Sequence, residues 1–132
     1  ELICAFRSQW HRSIPHAIEG SFDILTTLIA QNVDVTMLTN FNQDTYLEAE
    51  EKFPILKRPR GVTVSGRVQM LKPEREIYDH HASVFELEPS ETLFFDDSMK
   101  NVDGAIAAGW QAYLFTDAQQ MKKDLQTHGL GV

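Results

Sequence analysis

Thr92-Leu93-Phe94-Phe95-Asp96-Asp97-Ser98-Met99-Lys100-Asn101-Val102-Asp103-Gly104-Ala105 is the stretch that decides the fold. It opens with β-branched and bulky apolar residues, which suit a buried strand, and then stops at two carboxylates. Ser98 can cap a helix in which Val102, Ala105 and Ile106 form an apolar stripe, and Gly109 is placed to end it. A strand that feeds directly into a helix, with acids at the junction, is the repeating unit of an α/β layer. Adjacent carboxylates at such a point repel one another unless a cation or solvent intervenes. Oxygen-rich sites of this kind suit Mg²⁺, although taken alone the pair reads equally as an Asp-Asp turn.

Outward from this stretch the pattern repeats. Downstream, residues 111 to 115 predict a strand, and a final helix starts at Ala118. Upstream, Pro73 suits the first position of a helix, with Glu74 and Glu76 in its first turn and Ile77, Val84 and Phe85 on its inner face. Further back come a short strand at residues 62 to 64, a helix at about 44 to 52 and a buried strand at 33 to 38. Before these, Ser21 can cap a helix bearing Ile24, Leu25, Leu28 and Ile29, with Asn32 placed to end it. Strands alternating with helices imply parallel pairing in a three-layer α/β sandwich, whose ligands bind beyond the carboxyl ends of the strands.

The residues at those ends are Thr39 and Asn40, Lys72, and Asp96 and Asp97. Thr39 and Asn40 could shape a turn, and Lys72 could be a surface lysine. A lysine at the positive end of a helix is nevertheless unfavourable, and a nearby anion would compensate it.

Composition narrows the function. The 132-residue chain has the length of one compact domain, and 42% hydrophobic residues suffice for a core. A net charge of -7 argues against a nucleic-acid partner, and Lys57, Arg58 and Arg60 form a short basic loop broken by Pro59. The single cysteine, Cys4, cannot form an internal disulfide, and no apolar run approaches the roughly 18 to 20 residues of a membrane span. The expectation is a cytoplasmic protein with no membrane partner. His80 and His81 are neighbours on one helix, point in different directions and lack the residues of a zinc set, so they read as helix surface and core. Trp10, Trp110, Tyr113 and Phe115 read as packing residues.

Taken together, three segments resemble motifs of the haloacid dehalogenase-like hydrolases in order and spacing. Residues 35 to 40, Val-Thr-Met-Leu-Thr-Asn, resemble the second motif. Leu71-Lys72-Pro73-Glu74 with Ile77-Tyr78 resembles the third, and Phe94 to Ser98 with Asn101, Asp103, Gly104 and Ala105 resembles the fourth. The similarity covers about residues 21 to 125 and is greatest to small bacterial sugar-phosphate phosphatases of the glucose-1-phosphatase type. The resemblance implies that Thr39 hydrogen-bonds a transferring phosphoryl group, that Asn40 and Asn101 help to position it, and that Lys72 neutralises its charge. It further implies that Asp97, helped by Asp96, holds Mg²⁺. The acidic pair favours the phosphatases over the dehalogenases, which resemble them but carry uncharged residues there and need no metal.

The family's first motif is an aspartate nucleophile followed two residues later by an acid-base aspartate, at the end of a central strand. No Asp-x-Asp occurs in the sequence. The resemblance therefore implies a partial Rossmann-like core over residues 16–132, lacking its first, central strand, with residues 1–15 as the tail of a helical cap. The nucleophile would lie on an upstream segment, and the chain by itself would be inactive. Two other readings compete. A catalytically silent relative or fragment would bind phosphate or a partner through the same residues. A signalling receiver domain also combines an acidic pair, a Thr and a Lys, but its acids come first, whereas here Thr39 and Lys72 precede Asp96 and Asp97.

Overall fold

The computed structural model describes residues 2–5, 15–40 and 42–131. Five parallel strands form one sheet in the order β3-β2-β1-β4-β5: β1 (Leu2–Ala5), β2 (Asp34–Thr39), β3 (Gly61–Val64), β4 (Thr92–Asp96) and β5 (Gln111–Leu114). The helices are α1 (Pro15–Ala30), α2 (Gln43–Lys52), α3 (Ser65–Val68), α4 (Arg75–Phe85), α5 (Met99–Ala107) and α6 (Ala118–Thr127).

Side-chain alternation on β4 explains the layering. Leu93 and Phe95 join a core cluster with Ile24, Leu25 and Leu28 of α1 and Met121 and Leu125 of α6. Phe94 points the other way, into a cluster with Ile77, Tyr78 and Ala82 of α4 and Ala105 and Ala108 beside α5. Every residue of β4 is buried, as expected for a parallel strand covered on both faces. The two faces produce a three-layer α/β core.

Four sequence expectations need correction. The first concerns the centre of the sheet, which the sequence reading leaves without a strand. Leu2–Ala5, expected within the tail of a helical cap, occupies that place, pairing with β2 (Cys4 to Thr36) and β4 (Cys4 to Phe94). The physical reason is that β2 and β4 would otherwise each present an open edge of unpaired backbone groups. The rest of the expected cap segment, residues 6–14 with Trp10, lies outside the described residues.

The second correction is that α1 starts at Pro15 rather than near Ser21. It ends as expected: Asn32 adopts φ 62°, and the Val33 N–H reaches back to the Leu28 carbonyl. Third, α4 starts at Arg75, so Pro73 lies in the preceding turn and Lys72 does not sit on the first turn of the helix. Fourth, Val84 and Ile106 are exposed, because Ile77, Tyr78 and Ala82 on α4 and Val102 and Ala105 on α5 already fill the surface facing the sheet.

His81 is fully buried beneath the sheet. Its Nε2 lies 2.9 Å from Thr36 Oγ1 and its Nδ1 lies 2.7 Å from Thr63 Oγ1, so one ring bridges β2 and β3. At the amino end of the same strands, Arg60 pairs with Asp34 at 2.8 Å and donates to the Phe85 carbonyl. Arg60 thus makes specific contacts, while Lys57 and Arg58 are exposed as expected of a solvated loop. Among the described residues, no helix is long and apolar enough to cross a membrane.

Candidate active site

The strand-end residues converge at the carboxyl edge of the sheet. Asp96 is the last residue of β4 and is completely buried on the Phe94 side. Its Oδ2 accepts from Lys72 Nζ at 2.5 Å and from Asn101 Nδ2 at 3.2 Å, while its Oδ1 accepts from the Ser98 backbone N–H at 2.9 Å. Neither the Lys72 nor the Asp96 side chain has any solvent exposure, and Lys72 Nζ lies 5.6 Å from the Phe94 ring centroid. The anion expected to compensate Lys72 is therefore a protein carboxylate.

Burial pushes the Asp96 carboxyl above the usual carboxylate range. The Lys72 ammonium and the Ser98 N–H pull it down, and neighbouring Asp97 adds to the rise. The buried ionised form costs little only while the ammonium stays in place.

The loop after β2 fastens the lysine from the other side. Asn40 Oδ1 accepts from the Lys72 N–H at 2.9 Å and Asn40 Nδ2 donates to the Lys72 carbonyl at 3.2 Å, across 32 positions of sequence. The side-chain amide therefore acts on the lysine's backbone, a role that the strand-end pattern did not suggest. Asn40→Ala should cost about 1–3 kcal/mol in urea denaturation, because the Lys72 N–H loses its acceptor. A cost below about 0.5 kcal/mol would mean that water substitutes freely for the amide.

Close approach on the third side depends on Gly104 of α5. A Cβ there would lie 2.7 Å from the Pro73 carbonyl oxygen and 3.0 Å from Tyr78 Cε2, so only glycine lets the helix lie this tightly against the lysine turn. Tyr78 donates its hydroxyl to the Asn101 carbonyl at 2.7 Å. Ser98 occupies the cap position of α5, but its side chain makes no capping bond; its N–H serves Asp96 instead.

Asn40, Lys72, Asp96 and Asn101 thus form one hydrogen-bonded network. Thr39, buried at the end of β2, and Asp97, half-buried beyond β4, adjoin it in the chain. Among the described residues, no group of three or more His, Cys, Asp or Glu side chains could hold a metal. Mg²⁺ does not demand such a cage: it keeps several waters and takes one or two carboxylates plus substrate phosphate. Both Asp96 oxygens are engaged by protein donors, and Asp97 follows it half-buried at the same strand end. The donor set fits a magnesium ion in that limited sense.

A family model for haloacid dehalogenase-like hydrolases matches residues 1–115. The chain belongs to that family. It is 30% identical over 95 residues to a sesquiterpene phosphatase of Aspergillus oryzae, covering 72% of this chain and 48% of the relative. It is 28% identical over 115 residues to a chloroplast flavin mononucleotide hydrolase of Arabidopsis thaliana, covering 87% and 46%. Among solved structures, a haloacid dehalogenase-family enzyme of Bacteroides thetaiotaomicron, in complex with magnesium and inorganic phosphate, superimposes with a TM-score of 0.63 at 26% identity, over 70% of this chain and 50% of that one. The chain spans about half the length of the curated relatives it matches.

Proposed function

We propose that the protein is a Mg²⁺-dependent phosphomonoesterase of small phosphorylated metabolites that works through the residues gathered at the carboxyl edge of the sheet. The observation that carries the reading is the buried Lys72–Asp96 pair at the carboxyl edge of the sheet, the same edge at which β2 ends in Thr39 and Asp97 follows β4. Phosphoryl transfer spreads charge over the oxygens of the moving group, and catalysis consists largely of fixed cations and donors aimed at them.

In this reading Thr39 donates its hydroxyl to a phosphoryl oxygen. Lys72 supplies positive charge beside the nucleophile and phosphate, with Asp96 holding it in place. Asn40 and Asn101 fix that arrangement, and Asp97, supported by Asp96, would hold Mg²⁺. Bound there, the metal would offset phosphate charge. A sugar phosphate is the first substrate to test. The named relatives, one a sesquiterpene phosphatase and the other a flavin mononucleotide hydrolase, place two further phosphate classes in the same panel.

A second reading is favoured by one specific observation. The sequence contains no Asp-x-Asp, and the residues that follow β1 are Phe6-Arg7-Ser8, so no carboxylate stands where the nucleophile is expected. A relative that binds phosphate without turning it over would look the same. Phosphate release from the substrate panel with Mg²⁺ separates the cases. The expected result is turnover that is lost on chelation and in Thr39→Ala, and phosphate binding without turnover would overturn the phosphatase in favour of the silent relative.

A further inference from the structure

We propose that Tyr78 is a positioning residue of the site, acting through Asn101 on the carboxylate of Asp96. The inference deepens the phosphatase reading and takes its chemical meaning from it, but the chain of contacts stands on geometry. The Tyr78 hydroxyl donates at 2.7 Å to the carbonyl of Asn101 in the first turn of α5. The side chain of that same asparagine donates to Asp96 Oδ2, the oxygen that also receives Lys72 Nζ.

The hydroxyl suits the task for two reasons. Tyr78 is fully buried, its ring packed edge-on against Phe94 and Trp110, so the hydroxyl cannot swing to another partner without breaking the core. Burial, with the Asp96 charge nearby, also holds its ionisation far above the physiological range, so it remains a donor. The carbonyls of a helix's first turn are ordinarily taken by the N–H groups four residues on. A second, side-chain donor to that carbonyl fixes the azimuth of α5 at the residue whose side chain must reach Asp96. Gly104, one turn further on, lets the helix come close enough to the Tyr78 ring for that bond to form.

The test is proton exchange of the Asn101 carboxamide, followed by nitrogen-resolved NMR on this chain. Tyr78→Phe keeps the packed ring and removes only the donor. We expect exchange about tenfold faster than in the parent, as for a buried group whose restraint has lost one hydrogen bond. Tyr113→Phe removes a hydroxyl from the His128 contact on the other side of the sheet and should leave Asn101 unchanged. Exchange within about twofold of the parent in a folded Tyr78→Phe chain overturns the proposal, as does an equal acceleration in Tyr113→Phe. Should Tyr78→Phe fail to fold, the parent decides. A slowly exchanging Tyr78 hydroxyl proton with a cross-peak to the first turn of α5 upholds the proposal, and its absence overturns it. None of these readouts requires turnover, so they are distinguishable from failure of the phosphatase reading.

Discussion

Lys72→Met is expected to destabilise the chain by about 3–5 kcal/mol at neutral pH, the cost of stripping one partner from a buried ion pair. Methionine keeps most of the stem that packs along Phe94, so the loss is mainly electrostatic. Asp96 would retain the Ser98 N–H and the Asn101 amide but lose the ammonium, with no water to replace it. Two controls identify the cause. Lys72→Met combined with Asp96→Asn should recover most of the stability, since a buried pair replaced as a unit is often close to neutral. The single variant's deficit should also shrink at low pH. Burial already raises the Asp96 carboxyl, and without Lys72 it would rise further. A raised folded-state value means that the contribution is fully present below the unfolded value near 3.9 and is lost as pH rises through the folded one. Denaturation midpoints at pH 7 and pH 4 read this directly. An equal deficit at both, unrelieved by Asp96→Asn, would assign the loss to packing and remove the electrostatic core of the proposed site.

That pair was half legible in the sequence. Asp96 declares itself because a continuous apolar run gives way at that point to a helical period, and the residue at the change stands at the sheet's carboxyl edge. Lys72 was noticed for the wrong local reason. Pro73 with acids at 74 and 76 reads as a helix start, but Pro73 lies in the turn before α4, which begins only at Arg75, and only the tertiary partner shows why the charge is there. The grip of Asn40 on the Lys72 backbone spans 32 positions and leaves no local trace. Val84 and Ile106 show a different limit: an apolar stripe can be wider than the surface a sheet offers, and the surplus stays in solvent. The central strand was misread because four residues are too few to separate periods of 2 and 3.6. The two open edges on either side of it carried more information than its own sequence.

His81 offers the second large effect, through pH. Burial depresses its value to about 3, with smaller contributions from His80 and Arg60, so the folded chain holds a neutral ring between Thr36 and Thr63. In that form one ring nitrogen accepts from a threonine hydroxyl and the other donates, and the hydroxyls rotate to suit. The unfolded chain protonates the same histidine near 6.5, so between about 6.5 and 3 the unfolded state binds the extra proton. Stability from this residue is therefore present above pH 6.5 and is lost as pH falls, at up to about 1.4 kcal/mol per unit and about 3 kcal/mol in all by pH 4. Asp96, whose value is raised, works in the opposite direction. The measurement must isolate the histidine. In His81→Gln the amide can accept from one threonine and donate to the other but cannot titrate. Its stability curve between pH 6.5 and 4 should lie flatter than the parent's by one proton, with the other groups common to both. Parallel curves would mean that the ring is already solvated in the native chain, and that the bridge between β2 and β3 contributes little to holding Thr39 at the edge of the sheet.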